Sequence, residues 1–163
     1  MKEPTHKIRE GSEADFHHIR KIVSSAIRTR VADSDEQHDV LFKDVCSSFE
    51  QWHQNNAQSL FLVCEKGDII QGVILVKAYW NITALFVDPE HEGLGVGRAL
   101  LNEAIRICRN RSPKPSLKLN SSIYARPFYE KMGFRQTGRG IHRPGGCIPF
   151  EYDLQSRFQE EIE

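Results

Sequence analysis

Phe16, Ile19, Val23, Ala26 and Ile27 recur at intervals of three and four residues, the spacing that lines one face of a helix. Ser12, followed three residues later by Asp15, is a helix start signal after Gly11. A first helix is therefore expected to run to about Arg30, preceded by a short strand at His6-Lys7-Ile8-Arg9. Asp33-Ser34-Asp35-Glu36 interrupts the pattern. Val40, Leu41, Val45, Phe49 and Trp52 then form the stripe of a second helix reaching about Asn56.

Beyond that point the period becomes extended. Ser59 to Cys64 and Gly72 to Val76 are short apolar runs on either side of the turn Lys66-Gly67-Asp68, which reads as a hairpin. Trp80 to Val87 is a third β-branched and aromatic run, stopped by Asp88-Pro89 and expected near the middle of a sheet. From Gly97, the residues Leu100, Leu101, Ala104, Ile105 and Cys108 return to helical spacing, with Arg106, Arg109 and Arg111 suited to the helix C-terminus before Pro113. Leu117 to Leu119 alternates as a strand and Ala125 to Met132 is a short helix ended by Gly133. Phe134 to Thr137 and Phe150 to Leu154 are two last strands, joined by the Gly- and Pro-rich loop 138–149. The class expected is α/β (α+β): one domain over residues 1–163, core about 6–155 and a charged, frayed tail 156–163, with helices flanking a mixed sheet.

Composition narrows the function. The 163 residues carry 22 Lys and Arg against 22 Asp and Glu, so no nucleic-acid partner is expected. The balance hides a gradient: residues 1–80 hold 10 basic and 12 acidic side chains (−2), and 81–163 hold 12 and 10 (+2). Between Arg98 and Arg143 only Glu103 and Glu130 oppose 11 basic residues, a setting that favours an anionic ligand and equally describes solvated helix faces. No run approaches the roughly 20 apolar residues of a membrane span and Met1 to Glu10 lacks a secretory apolar stretch, so no membrane partner and a cytoplasmic location are expected. Cys46, Cys64, Cys108 and Cys147 lack zinc or redox spacing, which predicts free thiols and no metal.

Glycines 93, 95 and 97 join a predicted strand directly to a predicted helix. Without Cβ atoms they allow an anion close to the backbone, where the first N–H groups of the helix have no internal acceptor. A tight turn with glycines for packing is the competing reading. Arg98-Ala99 stands where a nucleotide triphosphate loop needs Lys and a hydroxyl, and the spacing Gly-x-Gly-x-Gly is wrong for a dinucleotide loop.

The segment Glu92-Gly93-Leu94-Gly95-Val96-Gly97 resembles the acyl-CoA loop of the GNAT superfamily of N-acetyltransferases, and Phe128-Tyr129-Glu130-Lys131-Met132-Gly133-Phe134 resembles that superfamily's second signature. The resemblance covers nearly the whole chain. It implies a mostly antiparallel central sheet in the order strand, helix, helix, three strands, helix, strand, helix, two strands. It also implies acetyl-CoA as co-substrate and an amine acceptor of small-molecule or protein type as partners, with a homodimer as an open alternative to a monomer. The cofactor-binding set it implies is Leu85, Phe86, Val87, Glu92, Gly93, Leu94, Gly95, Val96, Gly97, Arg98, Asn120, Ser122 and Tyr129. Backbone N–H groups from Gly93 to Arg98 would hold the CoA diphosphate. The strand edge from Leu85 to Val87 would pair with the pantetheine, with the Leu85 N–H polarising the thioester carbonyl. Tyr129 matches the family's general acid.

Two departures stand out. Glu92 occupies the usual Arg or Gln position, where a carboxylate repels a diphosphate unless it turns outward. Asn81 occupies the position of the Glu base of histone-type members and cannot accept a proton, leaving water, His142 or desolvation to deal with an ammonium of pKa about 10.4. The region between the first two helices and the loop between the last two strands would line the acceptor cleft. There Asp33, Asp35 and Glu36 read either as an attraction for a cationic amine or as capping residues of the second helix. A CoA-binding regulatory module with little or no catalysis is the alternative to an enzyme.

Overall fold

Two strands are apolar on both faces, and the rest of the fold covers them. In the computed structural model, which describes residues 6–55 and 58–155, β2 (Ser59–Lys66) and β3 (Ile69–Lys77) form the expected hairpin. Leu60, Leu62, Cys64, Ile74 and Val76 point into one core; Phe61, Val63, Val73 and Leu75 point into another on the opposite face. β3 begins three residues earlier than the apolar run suggests, because pairing continues to the two-residue turn and carries Gln71 into the buried part of the strand.

Around this pair the sheet adds β1 (Lys7–Glu10), β4 (Asn81–Val87), β5 (Ser116–Ser121), β6 (Arg135–Gln136) and β7 (Ile148–Asp153). The spatial order is β1-β2-β3-β4-β5-β7-β6, and among the named strands only β4 and β5 run parallel. β4 is therefore central, as its composition predicts. β6 is shorter than expected, and β7 starts earlier, at Ile148. Pro149 is tolerated in β7, where its carbonyl accepts from the Thr137 N–H at 3.0 Å.

The helices α1 (Phe16–Arg30) and α2 (Asp35–Gln54) pack on the Phe61 face; α3 (Val96–Arg111) and α4 (Arg126–Lys131) belong to the other layer. The expected end of the second helix at Asn56 and the charged tail 156–163 lie outside the described residues. Ser12 acts as predicted: its N–H donates to Asp15 Oδ2 at 2.9 Å. Asp15 also receives both terminal nitrogens of Arg9 at 2.9 Å, and Arg9 Nε reaches Glu65 at 3.1 Å. This node joins β1, β2 and the start of α1, and the Arg9 hydrogen bonds hold the Asp15 carboxyl below its ordinary pKa.

Two local features set the position of the glycine loop. A Cβ at Gly72 would lie 2.7 Å from Val96 Cγ1 and 3.0 Å from Leu100 Cδ1, so a glycine there lets the first turn of α3 settle on β3. The second is the parting of β4 from β5. They pair only at Asn81 and Lys118, with the Lys118 N–H donating to Trp80 O at 2.8 Å. Thr83 is skipped in the pairing of β4 with β3, a bulge that bends the strand. Past that point the β5-facing edge of β4 is open.

Candidate functional site

The open edge has a definite polarity. Asp88 N–H donates to Gln71 O at 2.9 Å, which makes Gly72 and Val87 a pair that exchanges no hydrogen bonds. By the alternation of antiparallel pairing, Ile74 and Leu85 are another. The N–H and C=O of Leu85 and Val87 thus point away from β3, into the gap between β4 and β5.

The gap continues as a cleft of about 570 Å³ lined by Leu85, Phe86, Val87, the loop at 91–93 and 95–98, Ser122, Tyr124, Phe128 and Tyr129, with Ala26 and Arg30 of α1 and Val31 just after it closing one side. Gly93 and Gly95 have φ of +78° and +84°, the left-handed region that glycine enters without strain. Their geometry turns the chain so that α3 starts at the cleft. Gly95 caps that helix without a side-chain hydrogen bond, and among the described residues the N–H groups from Gly93 to Arg98 have no protein acceptor. Six donors at the positive end of a 16-residue helix are a ready anion site.

The sequence-derived residues divide as follows. Leu85, Phe86, Val87, Glu92, Gly93, Gly95, Val96, Gly97, Arg98, Ser122 and Tyr129 meet in this cleft. Leu94 does not line it: its side chain is 56% exposed on the outside of the loop, so only its backbone is available. Asn120 lies outside it as well, on a neighbouring pocket between β4 and β5. Ser122 Oγ accepts from the Ala125 N–H at 3.1 Å, which commits part of the hydroxyl to the start of α4.

Tyr129 stands at the junction of the cleft with that neighbouring pocket and lines both. Its ring packs on Phe128, Phe134 and Phe150, leaving the residue 6% exposed. Burial pushes its phenol pKa well above the usual value of about 10, so it remains a proton donor over the whole neutral range. The neighbouring pocket, of about 220 Å³, is lined mainly by apolar side chains that include Ile27, Leu41, Val45 and Ile82, and Tyr129 is its one titratable side chain among the described residues. No carboxylate or imidazole there can take a proton.

The candidate bases lie elsewhere. Asn81 borders a separate pocket of about 450 Å³ among Gln51, Gln54, Asn55 and Gln58. His142 lines an open vestibule of about 1080 Å³ between the Gly140–Ile148 stretch and the junction of α1 with α2. Asp33 lies on this vestibule, whereas Asp35 pairs with Arg28 at 2.6 Å and Ser34 caps α2 through the Gln37 N–H at 3.2 Å. The capping reading describes Ser34 and Asp35 better than a shared amine trap.

Arg30 and Tyr124 belong to the cleft and are missing from the sequence-derived set. Arg30 Nη2 is 3.0 Å from Glu92 Oε2, and the Tyr124 hydroxyl donates to the same oxygen at 3.1 Å. Arg30 ends α1 and reads as a dipole complement; no local pattern announces that it meets a loop far along the chain. Among the described residues no three His, Cys, Asp or Glu side chains gather as a metal site requires, and no helix is long and apolar enough to cross a membrane.

A family model described as an acetyltransferase (GNAT) domain matches residues 30–149. Among curated proteins, the chain is 39% identical over 63 residues to glucosamine 6-phosphate N-acetyltransferase of Trypanosoma brucei brucei, covering 39% of this chain and 42% of that protein. It is 33% identical over 81 residues to peptidyl-lysine N-acetyltransferase YjaB of Escherichia coli K12, covering 49% and 52%. The chain thus spans about half the length of these relatives. Among solved structures, a GCN5-related N-acetyltransferase of Rhodopseudomonas palustris superposes with a TM-score of 0.77 at 18% identity, over 94% of this chain and 98% of that one. The PaiA N-acetyltransferase of Thermoplasma acidophilum, solved with coenzyme A, gives 0.74 at 20% identity, over 91% and 99%. At these identities the structures share the fold.

Proposed function

This chain belongs to the GNAT acetyltransferase family, and from that premise we propose that it is a one-domain, acetyl-CoA-dependent N-acetyltransferase acting on a primary amine of a small molecule or protein. The observation that carries the reading is the convergence, in one cleft, of the N–H groups of 93–98, the open backbone edge of Leu85 and Val87, and the protonated phenol of Tyr129. Acetyl-CoA supplies an activated acyl group as a thioester. The loop N–H groups hold its diphosphate, and Leu85 and Val87 offer main-chain donors and acceptors to the pantetheine amides. The Leu85 N–H, fixed by β3 pairing, stabilises charge on the carbonyl oxygen during attack; a donor of this kind contributes about 2.7–4 kcal/mol in the best measured case elsewhere.

Tyr129 gives its proton to the departing sulfur. A thiolate with an intrinsic pKa near 8.5 can leave without help, so the phenol speeds a step that is already open. The amine is the demanding partner. An ammonium of pKa about 10.4 is neutral in roughly one molecule in 2,500 at pH 7. The apolar walls of the pocket beside Tyr129, including Ile27, Leu41 and Val45, shift that equilibrium by disfavouring the charged form. No side-chain base is assigned. A cytoplasmic setting, where thiols stay reduced, suits four free cysteines.

The test is release of free CoA thiol from acetyl-CoA in the presence of amino sugars, polyamines, amino acids and lysine peptides. Release with at least one class is expected. Tight acetyl-CoA binding with no release by any amine would instead support a CoA-binding module.

A further inference from the structure

A carboxylate at the edge of an anion-holding loop opposes its ligand, and Glu92 puts one there. The structure answers it with two partners from separate parts of the chain. Arg30, the last residue of α1, lies 3.0 Å from Glu92 Oε2 through Nη2, and its guanidinium carbon sits 5.3 Å from the centre of the Tyr124 ring. Tyr124, just after β5, donates its hydroxyl to the same Glu92 oxygen at 3.1 Å. All three side chains line the cleft beside Gly93, Gly95 and Gly97.

We propose that Arg30 is a diphosphate-binding residue of the acetyl-CoA site, held beside the loop by Glu92 and Tyr124. The inference rests on the acetyl-CoA reading above. A guanidinium presents five N–H donors in a planar fork, and the ion pair to Glu92 uses one terminal nitrogen. Stacking on Tyr124 and pairing with Glu92 fix the plane of the group, which lowers the entropy lost when the remaining donors engage an anion. The charge arithmetic agrees: the cleft is lined by Arg30 and Arg98 against Glu92, a balance of +1 that falls to zero without Arg30. A half-exposed ion pair by itself adds little to stability, so an Arg30–Glu92 contact serving only to fasten α1 would leave ligand binding almost unchanged.

The competing role is neutralisation alone, in which Arg30 cancels Glu92 and never touches the ligand. A charge cycle separates the two. Acetyl-CoA is titrated calorimetrically into the wild type, Arg30→Gln, Glu92→Gln and the double variant, with thermal melts as a check on folding. S-acetyl-pantetheine, which lacks the diphosphate, is titrated into the wild type and Arg30→Gln.

Arg30→Gln is expected to weaken acetyl-CoA binding by about tenfold or more, and the double variant to stay about fivefold weaker than Glu92→Gln, as loss of a charged hydrogen-bond donor implies. S-acetyl-pantetheine should bind the two proteins equally. Arg30→Lys, which keeps the charge but loses the planar fork and its stacking on Tyr124, should recover only part of the affinity and retain its dependence on salt. A double variant that binds as tightly as Glu92→Gln would overturn the proposal in favour of neutralisation, and an equal loss of S-acetyl-pantetheine affinity would assign Arg30 to structure. A wild type with no affinity for acetyl-CoA would overturn the underlying reading of the cleft as well.

Discussion

The two halves of the cleft are built on different principles. On the cofactor side the groups that matter are main-chain: N–H donors of 93–98 set by Gly93 and Gly95, and the edge of β4 set by pairing with β3. On the side proposed for the acceptor they are side chains, from Val31, and Gln37 in the first turn of α2, to the stretch around His142 and Arg143. Main-chain geometry is fixed by the fold and indifferent to most substitutions, whereas a vestibule of side chains changes character with each one. The cofactor is therefore implied by the architecture and the acceptor is not.

The largest effect should come from breaking the cofactor side at its backbone. Gly95→Val forces a branched residue into the left-handed region at φ +84°, and relief of that strain shifts the loop that carries the donors. Acetyl-CoA affinity should fall more than a hundredfold, for roughly 1–2 kcal/mol of conformational strain in a protein that still folds. Calorimetry with a thermal melt separates the two effects. Retained affinity would mean that the diphosphate is held elsewhere.

Next in size is Tyr129→Phe, which keeps the ring packing against Phe134 and Phe150 and removes the proton. Turnover should drop by about ten- to a hundredfold with acetyl-CoA affinity unchanged. Unchanged turnover would remove Tyr129 from the chemistry and leave it as a wall of the cleft.

The pH profile sharpens the same contrast. In the proposed reaction Tyr129 acts as the protonated acid, and burial raises its pKa, so its contribution is present below the raised value and lost only as pH climbs through it. Turnover in the wild type should therefore rise with pH as more amine becomes neutral, and no falling limb should appear below about pH 10. A decline between pH 7 and 9 would point to another acid.

The smallest effect on chemistry is expected at the Arg9–Asp15–Glu65 node, remote from both halves. Asp15→Asn should cost about 2 kcal/mol in denaturant unfolding and leave acetyl-CoA affinity intact. Because Arg9 lowers the folded pKa of Asp15 below the ordinary 3.8, the wild-type advantage is present above that value. It is lost as pH falls through the folded pKa, so the two proteins should converge in acid.

The same division explains what could be read in the sequence. The hairpin, the central β4 and the glycine loop are local patterns: apolar runs around Gly67, a run ended by Asp88-Pro89, and glycines at alternate positions. Tyr129 was legible because its motif is contiguous. Glu92 reads in the sequence as a departure within the loop motif, whereas Arg30 and Tyr124 meet it only after folding, and each alone reads as a surface charge or a loop aromatic. Asn120 lies two residues before Ser122, the spacing of one strand face, yet β5 ends at Ser121, so Ser122 turns off the strand into the cofactor cleft while Asn120 stays beside the neighbouring pocket. The parting of β4 from β5 was also silent, since the bulge at Thr83 follows from pairing register rather than from composition.

The central claim is that the main-chain N–H groups from Gly93 to Arg98 hold the diphosphate of acetyl-CoA. A crystal structure of the wild type with acetyl-CoA tests it most directly. The diphosphate oxygens should lie within hydrogen-bond distance of these nitrogens, with the thioester carbonyl facing the Leu85 N–H; a diphosphate bound anywhere else on the protein would contradict the account.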